Sequence, residues 1–336
     1  MPIQHLRESC FNATEFSQEI LNWIEKENAW NIWVPKEFGG LELSLSDGLQ
    51  KLKELAQIDG SLGWTVTLCS GANFFIKNLR QEVAEELFLG TKEPVVLGGS
   101  GGVFGTAKKQ GNHYILNGKW RYATGAPYLS HFTLNAQIIE DGKALKNNDG
   151  TPYFRSFIIP KEKVRIEKDW DTMGLEASVT HSFHVESVTC DSRYSFLYTD
   201  VYLPHSIYKI PFLLFADLTL WVNYIGMAAH LLEEIANEVP KEKYTALQEI
   251  CSFANQQLTT IAAETEGKLN ENRTINKNYI QQVHTDASES VRNLSQAIIK
   301  LHPFLGIKAS RKSHPINQIF RDYFTATQHH IFVDWS

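Results

Sequence analysis

Cysteine is scarce. The chain has four, Cys10, Cys69, Cys190 and Cys251, in 336 residues, and no two form a C-x-x-C pair. This spacing argues against a zinc site or a disulfide scaffold, so no metal is expected and a reducing cytoplasm suits the chain. A basic surplus is also lacking. The net charge of -6 and a pI near 6.1 leave no general electrostatic footprint for nucleic acid or an anionic membrane. No secretory signal is expected, because Met1–Asn12 mixes His5, Arg7 and Glu8 without an apolar core. The one long apolar run, Ile210–Leu232, is broken by Pro211, Asp217, Asn223, Gly226 and His230. A membrane span wants about 20 apolar residues, so this run reads as a helix buried in a bundle, and no membrane partner is expected. Phosphate-loop patterns are absent too. Gly98, Gly99, Gly101, Gly102 and Gly105 fit neither G-x-G-x-x-G nor G-x-x-x-x-G-K-[ST], and no helix signal follows them. They read as a flexible loop between strands. No internal repeat is visible.

What is present falls into three textures. Residues 14–90 carry helical periodicity. Phe16, Ile20, Trp23 and Ile24 share a face behind a Thr14 cap, a second helix starts at Ser46, and Ser61 caps a third. From Glu93 the chain turns to short β-prone runs separated by Gly-rich or polar turns, which predicts a compact antiparallel β-domain, barrel-like or sandwich-like. After Pro204 it is helical again, with helices expected over 211–238, 241–268, 276–301 and 314–330. The fold class expected is therefore multidomain α+β: an all-α domain over 1–92, a β-domain over 93–205 and a four-helix bundle over 206–336. The length suffices for two or three such cores.

One turn stands out. Gly118–Phe132 reads as a strand ending at Trp120–Tyr122, a tight turn over Ala123–Pro127, and a return strand. Thr124 followed by Gly125 places a small hydroxyl beside a residue without a side chain, so backbone can approach a flat ligand there.

The sequence W-R-Y-A-T-G of Trp120–Gly125 resembles the W-x-F-A-S-G strand of two-component flavin monooxygenases, within the acyl-CoA dehydrogenase-like flavoproteins. V-P-K-E-F-G-G-L-E-L-S followed by E-L-A-Q-I-D-G-S-L-G-W is similar to that superfamily's N-terminal pair of motifs, in the same order and separation. Trp170–Thr180 resembles its W-x-x-x-G-(M/L)-x-(A/G)-T-x-S, with Val179 in place of the usual Gly. His314–His330 carries its P-(I/L)-x-(R/Q)-x-x-R-D. The resemblance covers nearly the whole chain and implies a flavin, FAD or FMN, held by Trp120, Tyr122, Ala123, Thr124 and Gly125. Ser178 and Thr180 would assist, with Gly105 and Thr106 in the cavity loop. Arg321 and Asp322 would be structural.

The same resemblance separates branches. Dehydrogenases keep a catalytic Glu eight residues after the Asp, where this chain has His330, or ten before the bundle Gly, where it has Ala216. The monooxygenases have a His at the position of His329, so His329, with His330 second, is the catalytic expectation. Two departures stand out: the monooxygenases' pocket His corresponds to Ala72, and the Arg segment that holds the ADP part of FAD is unrecognisable between Val239 and Asn278. The expected function is the oxygenase component of a flavin monooxygenase. A separate flavin reductase would supply diffusible reduced flavin, and a small aromatic or amine substrate would be hydroxylated. The alternatives are an acyl-CoA dehydrogenase with a displaced base and a non-catalytic flavin-binding homologue. Apolar residues on more than one face of 211–232 predict a homotetramer.

Overall fold

The computed structural model describes residues 1–91 and 93–333. Lys92, where the first expected domain ends, and Asp334–Ser336, at the end of the expected bundle, lie outside the described residues. Five helices come first: α1 (Ile3–Cys10), α2 (Gln18–Lys26), α3 (Leu45–Ile58), α4 (Gly60–Asn73) and α5 (Gln81–Leu89). The caps sit a few residues from the expected positions. Ser17 accepts from Ile20 N, Ser44 from Asp47 N and Asp59 from Leu62 N, because an N-cap needs extended backbone just before the first turn. The short α1, unmarked by periodicity, packs on α2 and α3.

Eight strands follow: β1 (Leu97–Gln110), β2 (His113–Ala123), β3 (His131–Glu140), β4 (Lys143–Ala144), β5 (Phe154–Pro160), β6 (Arg165–Glu167), β7 (His181–Asp191) and β8 (Ser195–Phe196). They form one sheet in the order β6-β7-β2-β1-β3-β5-β8, with β4 on β3. Two expectations need correction. The sheet is mixed rather than wholly antiparallel, since β1 and β3 run parallel. β2 is already paired by β1 on one side and β7 on the other, so the chain leaving it crosses over and joins the free edge of β1. The end strands β6 and β8 do not pair with each other among the described residues, so the sheet is open. The second correction concerns Gly98–Gly102, which is no loop: it opens β1, with register shifts at Ser100/Val103 and Val103/Gly105. Glycines let a bulged strand bend here.

The last part is four helices: α6 (Phe212–Ile235), α7 (Lys241–Asn270), α8 (Lys277–Leu301) and α9 (Pro315–Ala326). α6 is long and apolar enough to cross a membrane, yet 78% of its apolar window is buried. It packs on α3, α4, α7, α8 and α9. At Gly226 the α3 backbone is so close that a Cβ would lie 2.6 Å from the Lys53 carbonyl oxygen. α9 stops at Ala326, four residues short of the expected end. Its last turn tightens through Gln328 N to Thr325 O and His329 N to Ala326 O, and the Thr327 hydroxyl caps the Phe324 carbonyl at 2.7 Å.

Candidate active site

α4 and α6 cover one end of the sheet and leave a cavity of about 160 Å³. α4 contributes Leu68 and Ala72, the 3₁₀ turn just after it contributes Phe75, and α6 contributes Phe215, Ala216 and Thr219. The sheet side is the Gly98–Gly101 backbone of β1, Thr133 and Asn135 of β3, and Ser156 of β5. Tyr198 closes the aromatic wall, stacked on Phe75 at 5.2 Å and Phe212 at 5.1 Å between centroids. Its hydroxyl belongs to a neutral network. Asn135 Nδ2 donates to Gly101 O at 2.8 Å and to the Tyr198 hydroxyl at 3.0 Å, and Ser156 donates to Asn135 Oδ1 at 2.6 Å.

The turn at Thr124 reaches this cavity. Gly125 takes φ +72°, and its N–H donates to Ser178 O at 2.8 Å, which ties the turn to the segment before β7. The result is a buried line of hydroxyls. Ser178 and Thr180 are 2.8 Å apart, and Thr180 donates to Thr124 at 3.1 Å. Thr180 gives its one proton to Thr124, so Ser178 donates to Thr180, and the Thr124 proton is left for the cavity. The three hydroxyl residues expected from sequence are thus brought together. The neighbours divide. Ala123 is buried, while Tyr122, at φ +65°, is 67% exposed.

Other expected cofactor residues are displaced from the cavity. Trp120 is fully buried in the sheet, stacked on Phe183 with its Nε1 on Asn135 O at 2.9 Å. It supports the Asn135 strand. Gly105 makes room for that indole, since a Cβ there would lie 2.4 Å from the Trp120 ring. Thr106 faces solvent. The glycines that do line the cavity, Gly98, Gly99 and Gly101, lie earlier on the same strand. A glycine run inside a β-rich region was the signal that could have identified them.

Neither histidine lies on α9. His329 has extended backbone (φ -70°, ψ 130°) and caps a short 3₁₀ turn, with Nδ1 accepting from Ile331 N at 3.4 Å. Its ring meets Trp64 edge-on at 5.7 Å, one turn along α4 from the cavity residue Leu68. Burial, and then the neighbouring His330, push its pKa down to about 4. The imidazole is therefore neutral near pH 7, and Nδ1 as acceptor leaves the proton on Nε2. His330 stacks on it at 4.7 Å and is exposed.

Two of the sequence motifs dock on each other. Arg321 pairs with Glu176 at 2.8 Å and donates to Asn317, and Asp322 Oδ1 accepts from Leu175 N at 2.6 Å. At Gly174 a Cβ would fall 2.3 Å from the Arg321 carbonyl. Gln318 bridges Asp322 to Asp59, donating to Asp59 Oδ2 at 2.7 Å. Burial raises the pKa of both carboxyls. The Asp59 charge raises that of Asp322 further, to about 8. The junction fixes the strand-loop that carries Ser178 and Thr180.

No family model matches the chain. It is 25% identical over 344 residues to an indole-3-acetate monooxygenase of Acinetobacter baumannii, covering 96% of this chain and 86% of that one. Its fold matches that of 3-HSA hydroxylase from Rhodococcus sp. RHA1 with TM-score 0.90 at 19% identity, over 98% and 90% of the two chains. It also matches TdsC from Paenibacillus sp. A11-2, solved with FMN and indole, with TM-score 0.80 at 17% identity over 97% and 91%.

Proposed function

The chain is a relative, in sequence and in fold, of the acyl-CoA dehydrogenase-like oxygenase components of flavin-dependent monooxygenases, and from that premise we propose that it hydroxylates a small aromatic substrate with reduced flavin and oxygen. The observation that carries the reading is the cavity. Thr124 supplies a hydroxyl with a free proton, the Gly98–Gly101 strand supplies bare backbone, and no carboxylate lines the wall. These features fit the edge of a flat, hydrogen-bonding ring system. When bound, the flavin supplies the oxygen-activating chemistry; the protein binds, orients and excludes water. Thr124 holds the flavin ring, with Thr180 and Ser178 fixing the direction of its hydroxyl. His329, neutral and protonated at Nε2, acts as a hydrogen-bond donor rather than a base.

Loosely held flavin delivered by a separate reductase is the supply we propose. α7 contains no arginine to grip an ADP group, and Arg273 beyond it pairs with Glu271 at 2.7 Å. A homotetramer is the assembly we propose, because Leu213, Phe253, Ile299, Phe304 and Ile307 are each more than half exposed on the C-terminal helices and the segment after α8. A cytoplasmic location accords with four unpaired, buried cysteines. The dehydrogenase alternative needs a carboxylate beside the substrate. Ala216 is on the cavity wall and His330 is exposed away from it, so neither position supplies one. The test is to supply the protein with reductase-generated reduced flavin and, separately, with FAD and acyl-CoA of several chain lengths. Oxygen-dependent hydroxylation without bleaching by acyl-CoA is expected. Rapid bleaching by any acyl-CoA would restore the dehydrogenase reading.

A further inference from the structure

We propose that the cavity takes an uncharged, electron-rich heteroaromatic ring that reacts without prior ionisation, and rejects both arylcarboxylates and phenols that need a base. The proposal rests on the monooxygenase reading and adds the substrate class to it. Two small residues carry it. Ala72 on α4 and Ala216 on α6, the positions where the sequence motifs lead one to expect a histidine or a carboxylate, both line the cavity. Each presents a methyl group and no base.

The rest of the wall does not replace what these positions lack. No Asp, Glu, Lys, Arg or His lines the cavity. Its one titratable group is Tyr198, whose hydroxyl is buried in the Asn135 network and has its pKa raised by that burial. The ionisable groups next to the lining in sequence are engaged elsewhere. Asp217, beside Ala216, bonds to His284 Nδ1 at 3.0 Å. Lys77, close to Phe75 in sequence, gives its ammonium to the Tyr208 and Ile210 carbonyls at 3.2 and 3.3 Å. His329, edge-on to Trp64, is a neutral donor and supplies no base.

Three consequences follow from chemistry. A carboxylate on the substrate would be desolvated with no partner, which is strongly disfavoured. A phenol becomes a strong carbon nucleophile by losing its proton, and the base that takes it must lie within hydrogen-bond reach; none does. A pyrrole-type ring is electron-rich while neutral, because its nitrogen lone pair feeds the ring. The cavity, about 160 Å³, is small and suits a compact ring whose edge lies beside the flavin, and the Thr133 hydroxyl on its wall can accept a ring N–H. The net reaction balances as aromatic C–H plus O₂ plus two-electron-reduced flavin giving aromatic C–OH, water and oxidised flavin. The electrons come from the reductase. The C–H and O–O bonds break, a C–O bond forms, and the second oxygen leaves as water.

Indole, phenol and indole-3-acetate are the probes. Each is offered to the full chain with a flavin reductase, NADH and FMN, while product and oxygen uptake are followed. Indole binding to the flavin-free protein is measured separately by calorimetry. Indole should bind without flavin and exceed the other two in kcat/KM by about tenfold or more. Ala72→His should raise phenol turnover relative to indole, with a pH profile that follows imidazole ionisation. A wild-type preference for phenol or indole-3-acetate overturns the proposal. So does failure of indole to bind or react while flavin-dependent oxygen uptake persists, and in that case the flavin reading survives. If indole binds but no flavin-dependent uptake occurs with any probe, the monooxygenase reading itself falls and takes the proposed chemistry with it.

Discussion

At the junction between α9 and the segment before β7, polar groups are engaged on every side. Arg321 bonds to Glu176, Asn317 and Asn12, Asp322 to Leu175 N, and Gln318 to Asp59 and to Asn12 N. Across α4, the cavity is neutral and aromatic, lined by hydroxyls and backbone and by no charged side chain. The residues that resemble a family motif crowd the first region. In the second, the motif positions Ala72 and Ala216 are methyl groups. The contrast teaches that the shared motifs encode the frame, by fixing how helices and sheet meet, while the cavity's chemistry is set by what this chain has removed. Substitutions in the two regions should accordingly fail in different ways.

The largest expected effect lies where the regions meet. Thr124→Pro removes a backbone N–H and constrains φ in the turn, and should abolish reduced-flavin binding, whereas Thr124→Ser should bind nearly as the wild type. Fluorescence titration with anaerobically reduced FMN, alongside circular dichroism of both variants, decides the matter. Equal affinity in the Pro variant would remove Thr124 from the site. Next in size, His329→Ala should lower hydroxylation by about 10²-fold with excess hydrogen peroxide released, and His330→Ala should do much less. Similar losses in both variants would show that the half-buried, neutral imidazole has no special part.

The junction should break in stability rather than in coupling. Gly174→Ala forces a methyl against the Arg321 carbonyl, which backbone cannot easily yield. A loss of about 1–3 kcal/mol is expected, read by urea denaturation; an unchanged midpoint would refute the tight docking. The smallest effect is one of slope. Asp322 has a folded pKa raised to about 8, first by burial and then by the Asp59 charge. A raised folded value contributes stability that is fully present below the unfolded carboxylate pKa and lost as pH rises through the folded one. Cys10, Arg321 and Gln318 also face this carboxyl or its partner, and His230 faces Asp59. Asp322→Asn cannot ionise, so its melting temperature should fall less between pH 5 and pH 9 than that of the wild type. Equal slopes would place the titration elsewhere.

The order of helices, strands and helices was legible in the sequence because apolar periodicity switches where the textures change. The meeting of Thr124, Ser178 and Thr180 was legible through motif resemblance, although no spacing along the chain brings them together. The parallel β1/β3 pair was not, because strand order depends on contacts far apart in sequence. Gly98–Gly102 was misread for a local reason: glycine signals a turn far more often than a bulged strand. The end of α9 was misplaced because helix termini are settled by individual caps such as Thr327. That error put His329 on a helix face it does not occupy. Ala72 and Ala216 were visible as departures, but only the fold shows that both face one cavity.

The central claim, oxygen insertion from O₂ using reduced flavin, has a direct test. The protein is incubated with a flavin reductase, NADH, FMN and indole under ¹⁸O₂, and the product is weighed by mass spectrometry. The account predicts a hydroxylated product carrying one heavy oxygen atom, formed only when reduced flavin is supplied. A product whose oxygen comes from water, or one formed equally well without flavin, would contradict it.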